Sequence, residues 1–158
     1  MRRPRARAAG VAAVMAAGAL PWAMGPASAD NIGNEGCTPG YWKHPTNNWE
    51  EYTPNTKLGT LFTFPSSLSQ FSNWTMLQAL QTTGGTGLTG ATKILLRAAV
   101  AAYLNAAHEG LGYPYRRFME PGFIQQDVNA ALASLDRATM LNLAADLDAK
   151  NNLGCPLS

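Results

Sequence analysis

Four aromatic residues, Tyr41, Trp42, Trp49 and Tyr52, fall within twelve positions that also hold Lys43, His44, Asn47 and Asn48. Flat rings beside amides and a cation suit sugar recognition, because a ring stacks on the apolar face of a sugar while polar groups meet its hydroxyls. Large amphipathic aromatics serve protein-binding surfaces equally well. The same rings can instead plug one end of a helical fold, since burying an aromatic is strongly favourable. Trp42, only five positions beyond Cys37, suits the plug best; Trp49 and Tyr52 are open to either role.

Catalytic patterns are sparse. The sequence holds two histidines, His44 and His108, and no G-x-S-x-G segment for a nucleophilic serine. His108 lies at the end of an apolar stretch, where a helix C-terminus favours it. Neither H-E-x-x-H nor a sufficient set of His and Cys residues is present for zinc. Glycoside hydrolysis needs two carboxylates flanking the scissile bond, to which Glu35, Glu50, Glu51, Glu109 and Glu120 could contribute. Their spacing places no pair, and scattered surface carboxylates are the ordinary reading. Asp146, Asp148 and Asn151 set oxygen ligands at a helix end, but the twelve-residue loop of a calcium hand is missing. No catalytic residue, metal or cofactor is therefore expected.

Two cysteines bracket the region that must position these groups. The beginning of the chain reads as a secretory signal: Arg2, Arg3, Arg5 and Arg7, an uncharged apolar run from Gly10 to Gly25, then Ala27-Ser28-Ala29. The run is shorter than a membrane span and is broken by Pro21 and Pro26. The mature protein is expected to begin at Asp30 and to be extracellular, without a membrane span. In that compartment Cys37 and Cys155 are expected to pair. The bond would close a loop of more than a hundred residues, for which the chain-entropy model gives about 5 kcal/mol. Loss of four of the twelve basic residues with the signal leaves eight against ten acidic ones, a net charge of −2. With no basic tract remaining, nucleic acid is not an expected partner.

The mature chain is long enough for one domain with a core. Residues 30–36 are expected to be a flexible lead-in and 37–158 a single disulfide-closed domain. Up to Asn73 the sequence is rich in Pro, Thr, Asn, Ser and aromatics. Pro39, Pro45, Pro54 and Pro65 exclude a long helix there, leaving short turns near Thr46–Tyr52 and an extended Leu58–Phe64. Beyond it the pattern is helical: a short helix capped by Asn73, a flexible Thr82–Gly90 connection, and a strong alanine-rich helix from Ala91 to His108 that is apolar nearly all round. Further helices are expected over about 123–133 and, capped by Ser134, over about 135–150. Arg97, inside the apolar helix, must reach solvent or a carboxylate; Asp127 and Asp136 are the expected partners of a structural ion pair. The fold class is all-α, a small helical bundle with an irregular aromatic-rich N-terminal segment, closed by one disulfide.

The segment Gly36-Cys37-Thr38-Pro39-Gly40-Tyr41-Trp42-Lys43, with a further tryptophan at Trp49, resembles a group of secreted bacterial proteins that open on G-C-T-P-G-Y/F-W-K. The likeness continues through Ile94–Ala99, Leu104–Ala107, Tyr113-Pro114 and Val128–Ser134. It closes with Asp136–Leu141 and Asn151-Asn152-Leu153-Gly154-Cys155-Pro156-Leu157. Such proteins look like exported or surface modules, and the resemblance implies a free-standing version here; it implies no activity. The preferred expectation is a secreted non-enzymatic domain of the cell envelope or extracellular space. It would bind a cell-wall glycan or an envelope protein through Tyr41, Trp42, Trp49 and Tyr52. A small secreted hydrolase using carboxylates and a purely structural secreted protein are the alternatives.

Overall fold

A computed structural model describes residues 32–44, 48–118 and 123–157. The expected signal peptide, 1–29, and the expected mature start at Asp30 lie outside the described residues. The architecture is all-α: five α-helices, α1 (Pro39–Trp42), α2 (Met76–Gln81), α3 (Gly87–Ala107), α4 (Ile124–Ser134) and α5 (Arg137–Asn151), are described, with 3₁₀ turns at Leu58–Thr60 and Ser66–Asn73. Among the described residues only isolated bridges, and no strands, pair extended backbone. No helix among them is long and apolar enough to cross a membrane.

Helix α3 is the axis of the molecule. Every residue from Ala98 to Ala107 is buried, as a helix without a polar face must be. Each of the other four helices packs on it, α5 most extensively. Alanine at most of these positions leaves little side chain between neighbouring backbones, so the helices close tightly. The helix begins at Gly87, four residues earlier than expected. Its first turn sits against the preceding linker so closely that a Cβ on Gly90 would lie 2.0 Å from the Gly85 carbonyl carbon. Only glycine admits that approach, so residues read as a flexible connection are partly helix.

The caps also differ from expectation in instructive ways. Thr75, not Asn73, caps α2, forming a reciprocal capping box with Gln78; Asn73 instead ends the 3₁₀ stretch before it. Asp136, not Ser134, caps α5 by accepting from the Thr139 amide at 3.0 Å. Ser134 belongs to the last turn of α4 and donates to the Ala131 carbonyl. Between the two helices Leu135 turns the chain with φ 52°.

The N-terminal segment is tied down at many points. Cys37 and Cys155 are disulfide-bonded with their Cα atoms 4.5 Å apart. Gly36 and Gly154 exchange backbone hydrogen bonds beside the bond, and Gly36 lies so close to the end of α5 that a Cβ there would sit 2.1 Å from the Lys150 carbonyl oxygen. The Glu35 amide donates to Gly112 while its carboxylate accepts from the Gly112 amide. The lead-in expected to be flexible up to residue 36 is thus fixed at Glu35 and Gly36. Helix α1 forms at Thr38-Pro39-Gly40-Tyr41-Trp42, with Thr38 as N-cap and Pro39 opening the first turn; of the stretch expected to make short turns, residues 46 and 47 lie outside the described residues and 48–52 are not helical. Residues 58–60, expected to be extended, make a 3₁₀ turn. The backbone leading into it pairs with the entry to α2, Leu58 donating to Trp74 and Met76 to Thr56.

Candidate functional site

The aromatic window folds inward. Trp42 is completely buried, and Tyr41, Trp49 and Tyr52 are half-buried against the core. Trp42 donates its indole N–H to Asn105 Oδ1 at 2.8 Å, Tyr41 packs edge-on against it, and Trp49 donates to the Trp42 carbonyl. Tyr52 packs on Tyr103, which also meets Phe62 and Phe118. Its hydroxyl accepts from Arg117, whose guanidinium lies over the Tyr52 and Phe118 rings. These contacts commit Trp42 to the plug role and much of the other three rings to packing. Burial pushes the Tyr103 phenol well above its ordinary range.

A polar centre unforeseen in the sequence holds the plug. Asn105, in the middle of the buried run of α3, uses both amide groups twice: Oδ1 accepts from the Cys37 amide and from Trp42, and Nδ2 donates to the Cys37 carbonyl and to Asn151. Asn151 in turn donates to Ala98 and accepts from the Tyr113 hydroxyl. A buried amide is tolerable only when so fully satisfied. Asn151, considered above with Asp146 and Asp148 as an oxygen ligand, is therefore wholly buried and engaged. Among the described residues no cluster of three or more His, Cys, Asp or Glu side chains is placed to hold a metal ion.

The acids of the N-terminal segment act as ties. Glu50 faces His108 Nε2 at 3.3 Å and accepts from the Glu109 amide, while Glu51 accepts two bonds from Arg117. His108 Nδ1 accepts from the Gly110 amide at 3.0 Å, so the ring proton sits on Nε2, facing Glu50. Both ring nitrogens of His108 are engaged within the fold. Glu120 lies outside the described residues.

Arg97 makes neither of the ion pairs expected of it. Asp136 is turned into the α5 cap, where its bonds to the Thr139 hydroxyl and amide hold its carboxyl below the ordinary range. Asp127 stands in the first turn of α4, its carboxyl raised by burial. The two ion pairs seen among the described residues, His108–Glu50 and Arg117–Glu51, leave Arg97 out. The acid that feels Arg97 is Asp148 of α5; burial raises that carboxyl, opposed by a hydrogen bond with Asn151 and, more weakly, by the Arg97 charge. The physical reason is that each expected partner is engaged or placed elsewhere, while Arg97 lines an open cleft.

That cleft, about 320 Å³, lies where the end of α1, the end of α2 and the middle of α3 meet. Lys43, His44, Gln81, Thr82, Thr83 and Arg97 line it over a floor of Leu80. Lys43 and His44 are exposed and Arg97 is half-buried. No carboxylate is among the described residues that line it. The arrangement offers a guanidinium, an ammonium and an imidazole beside hydroxyls and an amide, so it can bind and orient a polar ligand. Among the described residues no hydrogen bond joins His44 to the Thr82 or Thr83 hydroxyl. The volume falls at the small end of ligand pockets, roughly 300–1,000 Å³. Lys43 and His44 stand in the aromatic window of the sequence, whereas local pattern marks Arg97 as structural and Gln81 to Thr83 as part of a short helix and its linker. No protein-family model, curated protein or solved structure matches the chain.

Proposed function

We propose that this protein is a secreted, non-enzymatic binding domain of the bacterial cell envelope or its surroundings, and that its ligand is a wall glycan. The observation that carries the reading is the cleft: an open, polar, cation-lined cavity at the seam between the N-terminal segment and the central helix. Lys43 and Arg97 both fall in segments that resemble the secreted bacterial group, so the resemblance and the cleft share residues. The signal-like beginning and the disulfide agree with export. The glycan site proposed is this cleft; the half-buried Tyr41 and Trp49 pack on Trp42 at the end of α1 beside it, and Tyr52 packs elsewhere, on Tyr103 and Arg117.

The test is co-sedimentation of the oxidised protein with isolated bacterial cell walls and insoluble polysaccharides. Saturable retention on walls that is abolished by Lys43→Glu, a substitution at an exposed position, is the expected result. Absence of retention on every wall and polysaccharide would overturn the glycan reading, and retention indifferent to Lys43→Glu would remove the cleft from it.

A further inference from the structure

Charge decides which ligand the cleft prefers. Three cationic or protonatable side chains converge on it with no lining carboxylate among the described residues, in a mature chain whose expected net charge is negative. Local positive charge is therefore concentrated here against the balance of the molecule. Arg97 is the strongest indicator. A half-buried guanidinium always carries its charge and presents a planar fork of donors suited to oxyanions. No hydrogen bond or ion pair satisfies that fork among the described residues, and Asp148 reaches it only as a through-space charge.

From this we infer that the cleft binds a phosphate group carried on a sugar; the inference rests on the binding-domain reading above and names its ligand chemistry. A carboxylate brings one charge and two oxygens. A phosphate monoester brings close to two charges and three terminal acceptor oxygens, which matches a guanidinium, an ammonium and an imidazole converging from two sides. A bare phosphate leaves much of the cavity unfilled. The hydroxyls of Thr82 and Thr83 and the Gln81 amide both donate and accept, as sugar hydroxyls do. Leu80, almost wholly buried, closes the bottom of the cavity. The phosphate can come from a free sugar phosphate or from a glycan that carries phosphate as a monoester.

Isothermal titration of the oxidised protein with glucose 6-phosphate, glucose and inorganic phosphate tests the inference. Glucose 6-phosphate should bind at least about tenfold more tightly than glucose, and more tightly than inorganic phosphate. Lys43→Gln and Arg97→Gln should each weaken it about tenfold, the loss expected for one charge-assisted hydrogen bond. Added salt should weaken binding further. Lys43 is exposed, so Lys43→Gln carries the test even if Arg97→Gln disturbs folding. Equal affinities for glucose and glucose 6-phosphate, or a Lys43→Gln protein that binds as the parent does, would overturn the inference. Retention on walls without preference for the phosphorylated sugar would overturn it while leaving the binding-domain reading standing. The source is separated with walls freed of phosphate esters by cold hydrofluoric acid: loss of retention on the stripped walls identifies a wall glycan, tight binding of glucose 6-phosphate without retention on untreated walls identifies a free sugar phosphate, and unchanged retention on stripped walls would overturn the inference.

Discussion

At the residue scale, Asn105 shows how a single buried amide can set the position of a whole segment. It binds both backbone groups of Cys37 and the Trp42 indole, so it fixes the disulfide end and the plug together, and through them the direction in which Lys43 and His44 leave α1. Replacing it by alanine leaves several buried donors and acceptors unpaired, each costing about 1–3 kcal/mol. Asn105→Ala should therefore destabilise the fold by on the order of 3 kcal/mol or more, read from urea unfolding; a loss below 1 kcal/mol would contradict the role given to it. Asp148 has the opposite character. Burial raises its carboxyl in the folded state above the ordinary 3.8, so the fold holds that proton more tightly than the unfolded chain does. Its contribution favours the fold below the unfolded value and is lost as the pH rises through the folded one. Asp148→Asn should accordingly raise the melting temperature at neutral pH, with the gain vanishing in acid below the ordinary carboxyl range. A gain that persists unchanged in acid would contradict this assignment. Neither residue announces itself fully in sequence. A lone Asn inside an alanine–leucine helix is a visible signal of a buried polar centre, whereas the burial of Asp148 depends on packing that no local pattern encodes.

At the scale of elements, the helices were legible because their causes are local. The alanine-rich run, the glycine and proline punctuation and the cap-forming side chains place α3, α4 and α5 to within a few residues. What was not legible is where competing caps resolve. Ser134 and Asp136 both satisfy the chemistry of an N-cap, and Asp136 wins because Leu135 turns the chain between them. The linker before α3 was misread for a related reason: glycine-rich sequence signals freedom, yet Gly90 is required by the backbone approaching it. In an unhindered helix, Gly→Ala stabilises by about 1 kcal/mol. Gly90→Ala should do the reverse, lowering the melting temperature, because the new methyl meets the Gly85 backbone at 2.0 Å, where neither partner is a flexible side chain. A stabilised Gly90→Ala protein would show that the linker packs elsewhere. Since Thr82 and Thr83 line the cleft on the same linker, the substitution should weaken ligand binding as well.

At the scale of the molecule, the disulfide, the Gly36–Gly154 pairing and the Glu35, Glu50 and Glu51 ties wrap an irregular segment around a helical bundle. The aromatics predicted to face a ligand serve largely to hold that wrapping in place, because an irregular segment with little regular hydrogen bonding needs large apolar side chains to offset its ordering cost. In the proposed reading, recognition then falls to what the wrapping leaves open. Lys43 and Arg97 are 54 positions apart in a sequence that gives no sign of their meeting; only the packing of α1 and α2 on α3 brings them to one cavity. The all-α class and the disulfide were thus readable from composition and compartment, and the cleft was not. The central claim is that this cavity is the ligand site, and amide NMR shift mapping of the oxidised protein against solubilised wall fragments tests it most directly. The account predicts saturable perturbations centred on Lys43, His44, Leu80 to Thr83 and the adjoining turn of α3 around Arg97. Perturbations centred instead on Tyr52, Arg117 and Phe118, or none at saturating fragment, would contradict it.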